Sequence, residues 1–359
     1  MDNILGDRFI MHGTDERDKA WHRKGNTFTK DVMSAMEAYE RLGRMPVRLV
    51  PLQTAPEIAP DGSTIPGITI PNRAIMRGPI PEDQTDVCFG VVGPEYVLIT
   101  PEQVARIWDE VSGQGRIETM GFLGQGERLF VTRKERPLEI DGDEVEMYTV
   151  LDSPMQQGYS AQILITPWRV VCQNTLIAAI EGARERWQIA HSEGAHIKLM
   201  EWLSLAFART DEKVNNIKTA FEALAAGGSC TIEEIEYVAI QTYPDPKKPR
   251  RNCPPAQYTQ RMEIFEDVLT RQRNRRAAAI EFAQGKGAGL ADRAITPWVI
   301  YNAMAEHAQY CSSTRGKIGA DTLFGERAKW IANAFNASMD LVTGKRHATP
   351  EVEMAALAN

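Results

Sequence analysis

The sequence predicts an α+β protein in which an antiparallel β-meander packs with helices and an all-helical C-terminal region follows. Three observations predict it. Four β-rich segments, "RIETMGFL", "RLFVTRKE", "EVEMYTVLD" and "SAQILIT", succeed one another between residues 116 and 166 with Gly-rich or Asp-Gly turns between them, the pattern of strands joined by tight turns. From Glu193 onward apolar residues recur at helical spacing. The 359 residues also exceed what one hydrophobic core usually organises.

In chain order, residues 1–30 form a polar arm with few periodic apolar positions. A helix is predicted over 31–42, where Val32, Met36 and Tyr39 share a face and Gly43 supplies the stop. Residues 46–81 are rich in Pro and Gly with β-branched pieces, "VRLVPL" and "GITIPNRAIMR", which suits strands and loops. "VCFGVVGPEYVLIT" reads as a strand pair around Gly93 and Pro94. Thr100, Pro101 and Gln103 then open a helix as N-cap, first helical residue and capping-box partner.

After the meander, "TPWRVVCQNTLIAAI" at residues 166–180 repeats that grammar through Thr166 and Pro167. A helix buried on most sides is therefore predicted from 167 to near Gly182. Arg169 and Gln173 share one face of it. A buried guanidinium needs a carboxylate, carbonyls or a ligand anion, so Arg169 is either a structural tie or a ligand contact. "RWQIAHS" is a short strand with Ser192 available to cap the next helix. Helices follow over about 193–226, 232–242, 257–283, 296–310 and 325–342, with a loosely ordered tail. The expected parts are residues 1–30, an α+β domain over 31–192, a helical region over 193–345 and a tail over 346–359.

Composition narrows the function classes. The mix of 43% hydrophobic and 25% charged residues is that of a globular protein. No run suits a membrane span and the N-terminal residues are too charged for a signal peptide, so a cytoplasmic chain is expected. Five cysteines lie far apart without a C-x-x-C pair, which argues against thiolate metal sites or a disulfide framework. The glycines at 285, 287 and 289 lack the G-K-[ST] of a phosphate loop, and no H-E-x-x-H occurs. No catalytic residue, metal ligand or cofactor is indicated; an enzyme site around Arg169, Gln173 and His191 ranks last among the readings.

The net charge of -7 conceals one basic stretch. Residues 244–276 hold nine Lys or Arg against four Asp or Glu, either a solvated loop and helix face or an arm for phosphates. "RLFVTRKER" is a basic strand in which alternation puts Arg133 and Lys134 on opposite sides, either a hairpin end or part of a backbone-binding platform.

The combination of "AWH" at 20–22, "FGVVGPEY" at 89–96, "TPWRVVCQNTL" at 166–176, "IAHS" at 189–192, "TPWVIYNAMAEH" at 296–307 and "FGE" at 324–326 resembles the phage and plasmid proteins of the domain of unknown function 932 family. The family often has threonine where Ser192 stands. The resemblance implies a mobile-element origin and brings no settled activity. A weaker, architectural similarity links the predicted meander and helix to single-strand annealing proteins of the RecT, Red-beta and ERF kind, by analogy of fold alone. The expected function is single-stranded DNA binding and annealing by a homo-oligomer, with Arg133, Lys134, Arg169, Lys247, Lys248, Arg250 and Arg251 on phosphates. The alternative is a phage module that binds and redirects a host protein. Arg169→Met separates that residue's two roles: lost folding marks a tie, and intact folding with lost oligonucleotide binding marks a ligand contact.

Overall fold

Short β-branched runs and capped apolar repeats become strands and helices in the computed structural model, which describes residues 4–12, 27–29, 33–80, 83–113, 117–169, 174–175, 187–287, 289–311 and 326–345. The strands are β1 (Ile4–His12), β2 (Thr27–Thr29), β3 (Val47–Gln53), β4 (Glu57–Ile58), β5 (Thr64–Ile65), β6 (Thr69–Arg77), β7 (Val87–Val92), β8 (Thr119–Leu123), β9 (Arg128–Lys134), β10 (Leu138–Ile140), β11 (Asp143–Pro154), β12 (Ala161–Arg169), β13 (Asn174–Thr175) and β14 (Trp187–Ile189). The helices are α1 (Ala35–Arg41), α2 (Pro101–Ser112), α3 (Ala195–Ala208), α4 (Thr210–Ala225), α5 (Ile232–Thr242), α6 (Pro255–Glu281), α7 (Pro297–Glu306) and α8 (Glu326–Thr343). The fold class is α+β, with helices gathered in the C-terminal part. Two units divide the chain: Met1–Arg136, Met147–Thr166 and Glu185–Lys213 form one, and Pro137–Glu146, Pro167–Arg184 and Val214–Asn359 the other.

The four predicted strands of the meander pair in order, but the Asp141-Gly142 turn joins β11 to an additional short strand, β10, rather than to β9. β8 pairs antiparallel with β9, and β9 with β11; β12 lies beyond β11, with β14 antiparallel on its other part. Met120, Val131 and Leu151 stand in register, as do Phe122, Leu129 and Ser153. Their shared face belongs to a core completed by Met33, Ala38, Val104, Trp108, Leu199 and Leu203 from the helical segments. The alternate face, with Thr119, Thr132 and Val150 in register, is buried as well. A second, three-stranded sheet orders β3, β6 and β7.

Helix ends follow local chemistry. Thr100 and Gln103 complete the predicted capping box of α2 with Pro101 in the first turn. Ser34 caps α1, and Asp109 of α2 accepts from the backbone N–H groups of Ala35 (2.7 Å) and Met36 (2.9 Å). A carboxylate on two orphan donors at a helix N-terminus also complements the helix dipole.

Several expectations are corrected. The N-terminal arm contributes β1 and β2 to the large sheet, because "ILGDRFIMH" finds its partner in β8, antiparallel through Ile10 and Met120; a partner 110 residues away leaves no local signal. The stretch around Gly93 holds one strand, since β7 ends at Val92 and Val97 instead donates its N–H to the His191 carbonyl at 3.0 Å. The helix predicted from Pro167 is strand through Arg169, whose backbone pairs with Asn174. Thr-Pro-Trp starts a helix at 296, but after Thr166 the residues Trp168 and Arg169 have sheet partners in Thr175 and Asn174, so tertiary pairing overrides the cap grammar. Residues 170–173, with Cys172 and Gln173, and 176–186 lie outside the described residues. Ser192 does not cap α3, whose N-cap is Gly194 in the left-handed region (φ 72°). The helix expected over 193–226 is two helices, α3 and α4, broken at Arg209, and α3 packs with the first unit through Leu199, Leu203 and Ala206.

The second unit is the helical one. α5 occupies the predicted 232–242 under a Thr231–Glu234 capping box. α6 runs on into Phe282–Lys286, where the backbone leaves helical geometry at Gln284 and Gly285 (φ 112°), and α7 is extended by a π-helical turn, His307–Cys311. Phe221 of α4 lies 4.9 Å from Trp298 and 6.0 Å from Tyr301 between ring centroids, and Phe335 of α8 closes the group. The β10–β11 hairpin joins this unit through Asp143, which accepts from Arg293 (2.8 Å) and from the Trp298 indole (3.0 Å). Phe221→Ala removes the centre of the ring cluster, and we expect a loss of about 3–5 kcal/mol. Chemical denaturation followed by tryptophan fluorescence reads it; an unchanged midpoint would remove the cluster from the unit's core.

Candidate nucleic-acid interface

The basic stretch begins where α5 must stop. Pro244 disfavours helical backbone at the preceding residue, and Tyr243 leaves the helix at φ -120°, ψ 73° after donating its N–H to Ala239. The Tyr243 ring is fully buried, and its hydroxyl lies 2.7 Å from Nδ1 of His307, a hydrogen bond in either tautomer. Its carbonyl accepts twice from Arg276 of α6, at 2.8 and 2.6 Å. The same guanidinium reaches Asp245 at 2.6 Å. The first end of the loop between α5 and α6 is thus tied to α6 and to His307.

This arrangement sets the charge of the loop. Asp245 is the sole carboxylate among residues 244–254, and Arg276 neutralises it. Lys247, Lys248, Arg250 and Arg251 are exposed and make no ion pair among the described residues. Arg251 lies over the Tyr258 ring at 5.4 Å. Pro246 and Pro249 are half-buried while the four cations face solvent. Proline fixes its own φ and restricts the residue before it, so the loop presents its charges from a stiff backbone and loses little freedom when an anion orders it. Beyond the loop, Arg261, Arg271 and Arg273 of α6 are exposed beside Glu263, Glu266 and Asp267, and the field there is mixed. Arg275 is turned inward, 4.6 Å from the Trp330 ring centroid.

The predicted residues of the first unit are placed differently. Arg133 bonds Glu135 at 2.7 Å, and its guanidinium lies 3.7 Å from the Phe207 ring centroid. Glu135 also accepts from the Thr149 hydroxyl at 2.6 Å. Arg133 is therefore a tie between sheet and α3, with its charge spent inside the unit. Lys134 is exposed on the opposite side, as alternation predicts. Arg128 pairs with the buried Asp152 at 3.3 Å, and Asp152 accepts from Gln162 at 2.7 Å. With β9 and β11 buried on both faces through their central residues, the meander offers no open platform there. The backbone of Arg169 lies in β12, and its side chain is outside the described residues. The structure thus gathers Lys247, Lys248, Arg250 and Arg251 on one loop and holds a half-buried Arg133 in an ion pair with Glu135.

Two histidines are structural. His191 is buried, with Nδ1 3.2 Å from the Val97 carbonyl, Nε2 3.0 Å from that of Pro154 and its ring stacked on Tyr96; burial lowers its pKa against the pull of those carbonyls. His307 is buried beside Phe282, and desolvation, with the Arg275 charge second, lowers its pKa to about 4. Among the described residues no group of three or more His, Cys, Asp or Glu is placed to hold a metal ion, and no helix is long and apolar enough to cross a membrane. Sequence reasoning missed Tyr243, Arg276 and His307 as the loop's anchors. Arg276 stood in the "RNRR" run, but nothing local marked it as the inward member.

Comparison with known proteins adds a family. The model of the family described as Domain of unknown function (DUF932) matches residues 88–323, a span that includes the loop, α6 and α7. No curated protein and no solved structure is significantly similar to the chain.

Arg276→Met removes the bonds to Tyr243 and Asp245, and we expect trypsin to cut at residues 247–251 several-fold faster; unchanged cleavage would show that Arg276 does not hold the loop. His307 gives a pH signature. Its folded pKa of about 4 lies below the unfolded value of 6.5, so below pH 6.5 the unfolded chain takes up a proton that the folded one refuses. Stability should fall from about pH 6.5 to about pH 4 by an amount on the order of 3 kcal/mol. His307→Asn should flatten that part of the profile in denaturation curves taken across the range.

Proposed function

For this chain, which belongs to the DUF932 family, we propose single-stranded DNA binding and strand annealing by an oligomer, in the service of a phage or other mobile element. The observation that carries this reading is the loop of four unneutralised cations, Lys247, Lys248, Arg250 and Arg251, on a proline-stiffened backbone whose own carboxylate is bound by Arg276. Phosphates of a nucleic acid are the anions that four closely spaced, exposed cations serve best, through release of condensed counterions. Tyr258, under Arg251 at the edge of the loop, adds a ring on which an unpaired base stacks, and stacking of this kind favours single strands without reading sequence. Annealing on such a surface needs no catalytic residue: cations hold the backbone and the bases stay free to pair.

A protein-binding role draws support from a separate feature, an acidic two-stranded ribbon of the first unit with exposed isoleucines. An acidic surface of that kind repels nucleic acid and suits a protein partner.

The test is fluorescence anisotropy of a labelled single-stranded oligonucleotide with the full chain across a salt series, beside a duplex. Four neutralised phosphates give a log–log salt slope of roughly -3, from about -0.7 per phosphate on single strands. The variant carrying Lys247→Gln, Lys248→Gln, Arg250→Gln and Arg251→Gln should lose most of the affinity and bring the slope near zero. Absence of binding by the wild-type chain at low salt would overturn the proposal.

A further inference from the structure

The first unit carries a built but uncovered surface. β3 and β6 pair antiparallel, and beyond Gln53 the two chains continue together. Thr54 donates its N–H to the Ile68 carbonyl, and the Ile68 N–H returns to the Thr54 hydroxyl, both at 2.9 Å. β4 and β5 extend the pairing, and a turn closed by Ala59 N–H to the Ser63 carbonyl (2.8 Å) ends it, with Gly62 at φ 81°. Where the strands cross, a Cβ on Gly67 would lie 2.0 Å from the Thr54 carbonyl oxygen. Only glycine permits that approach. The ribbon is therefore an ordered element.

Its surface does not suit water. Ile58 is 80% exposed, Ile68 73%, Ile65 50% and Ile70 40%, four large aliphatic residues within 13 positions. Ile65 stands opposite Glu57 and Ile58 opposite Thr64, so the isoleucines line both faces of the ribbon; single exposed apolar residues are ordinary, but several on one short element mark an interaction site. The charge around them has one sign. Residues 49–72 contain Glu57 and Asp61 and no Lys or Arg. Nucleic acid and anionic bilayers are repelled by such a surface, and a cationic protein surface is favoured.

The chain itself owns a surface of that kind. We propose that the ribbon is an interface between copies of this chain, seated on the basic loop of residues 247–251 of a second copy. Two carboxylates meet four cations that make no ion pair among the described residues, and the isoleucines meet a proline-rich loop, a kind of segment that apolar surfaces bind. The ribbon's carboxylates neutralise at most two of the four cations, so the contact leaves others free. Ribbon and loop are different patches, so the contact is heterologous: it builds a ring if the rotation closes and a filament if it does not. It joins different molecules and shares the loop's cations with the DNA binding proposed above, but it does not rest on that reading.

Sedimentation velocity of the full chain at low ionic strength, without nucleic acid, tests it. The wild-type chain should form species heavier than 40.1 kDa that shrink as salt rises. A ribbon variant, Glu57→Lys, Asp61→Asn and Thr64→Lys, reverses the ribbon's charge and keeps an acceptor at 61 for the turn bond from Ser63. A loop variant, Lys247→Glu, Lys248→Glu, Arg250→Glu and Arg251→Glu, reverses the other patch. Each alone should be monomeric, because its two patches then carry the same sign, and an equimolar mixture should associate again. A monomeric wild-type chain, undiminished association in either variant, or a mixture that stays monomeric would each overturn the proposal. Oligonucleotide anisotropy on the ribbon variant is read separately. Association without DNA binding would leave this inference standing and remove the function proposed above, and DNA binding without association would do the reverse.

Discussion

The bond from Arg276 to the Tyr243 carbonyl is the constraint on which the helical unit's candidate site depends. It joins the end of α5 to the last two turns of α6 across 33 residues. A carbonyl at a helix C-terminus lacks an intrahelical partner, and a guanidinium supplies two donors in one plane. The same group takes up Asp245. One side chain thereby ends a helix, anchors a loop and removes the loop's negative charge. The buried Tyr243–His307 pair holds the other side of that node, and a histidine kept neutral by burial lets it form without placing an unpaired charge in the core.

The first unit applies the same logic of satisfied polar groups in a sheet. A strand buried on both faces has no solvent in which to place charged residues, so Arg128 and Asp152 are taken up as a pair, and Arg133 is divided between Glu135 and the face of Phe207. Such arrangements are weak sources of stability but strong determinants of geometry, because removing one member strands the other. Basic residues that alternate along a strand therefore report little about ligands until their partners are known. The cations on the proline-rich loop differ in that no carboxylate competes for them.

Two surfaces of opposite sign remain uncommitted, the ribbon of the first unit and the loop of the second. Both are punctuated by proline, which limits edge pairing and stiffens the chain. In a protein with net charge -7, the described residues place four exposed cations without ion pairs on one loop and four exposed isoleucines on an acidic ribbon. The charge segregation links the sequence to both proposals through the same electrostatic argument.

Local chemistry was legible in the sequence. The meander, the Thr100 capping box, the bounds of α5 and the free charge of residues 247–251 all rest on interactions spanning a few residues. Strand alternation, capping and proline geometry act at that range, so composition and spacing determine them. Pairing across long sequence separations was decided only by the tertiary structure. β1 became a strand because β8 offers it an edge, Thr166 and Pro167 stayed extended because β12 already had neighbours, and α3 joined the sheet's core through its own apolar residues. The same holds for the site: nothing within a few residues distinguishes Arg276, which binds a carbonyl 33 positions away, from Arg273, which remains exposed. Their helix propensity and charge are alike. What separates them is which face of α6 meets α5, and that depends on the packing of the whole unit.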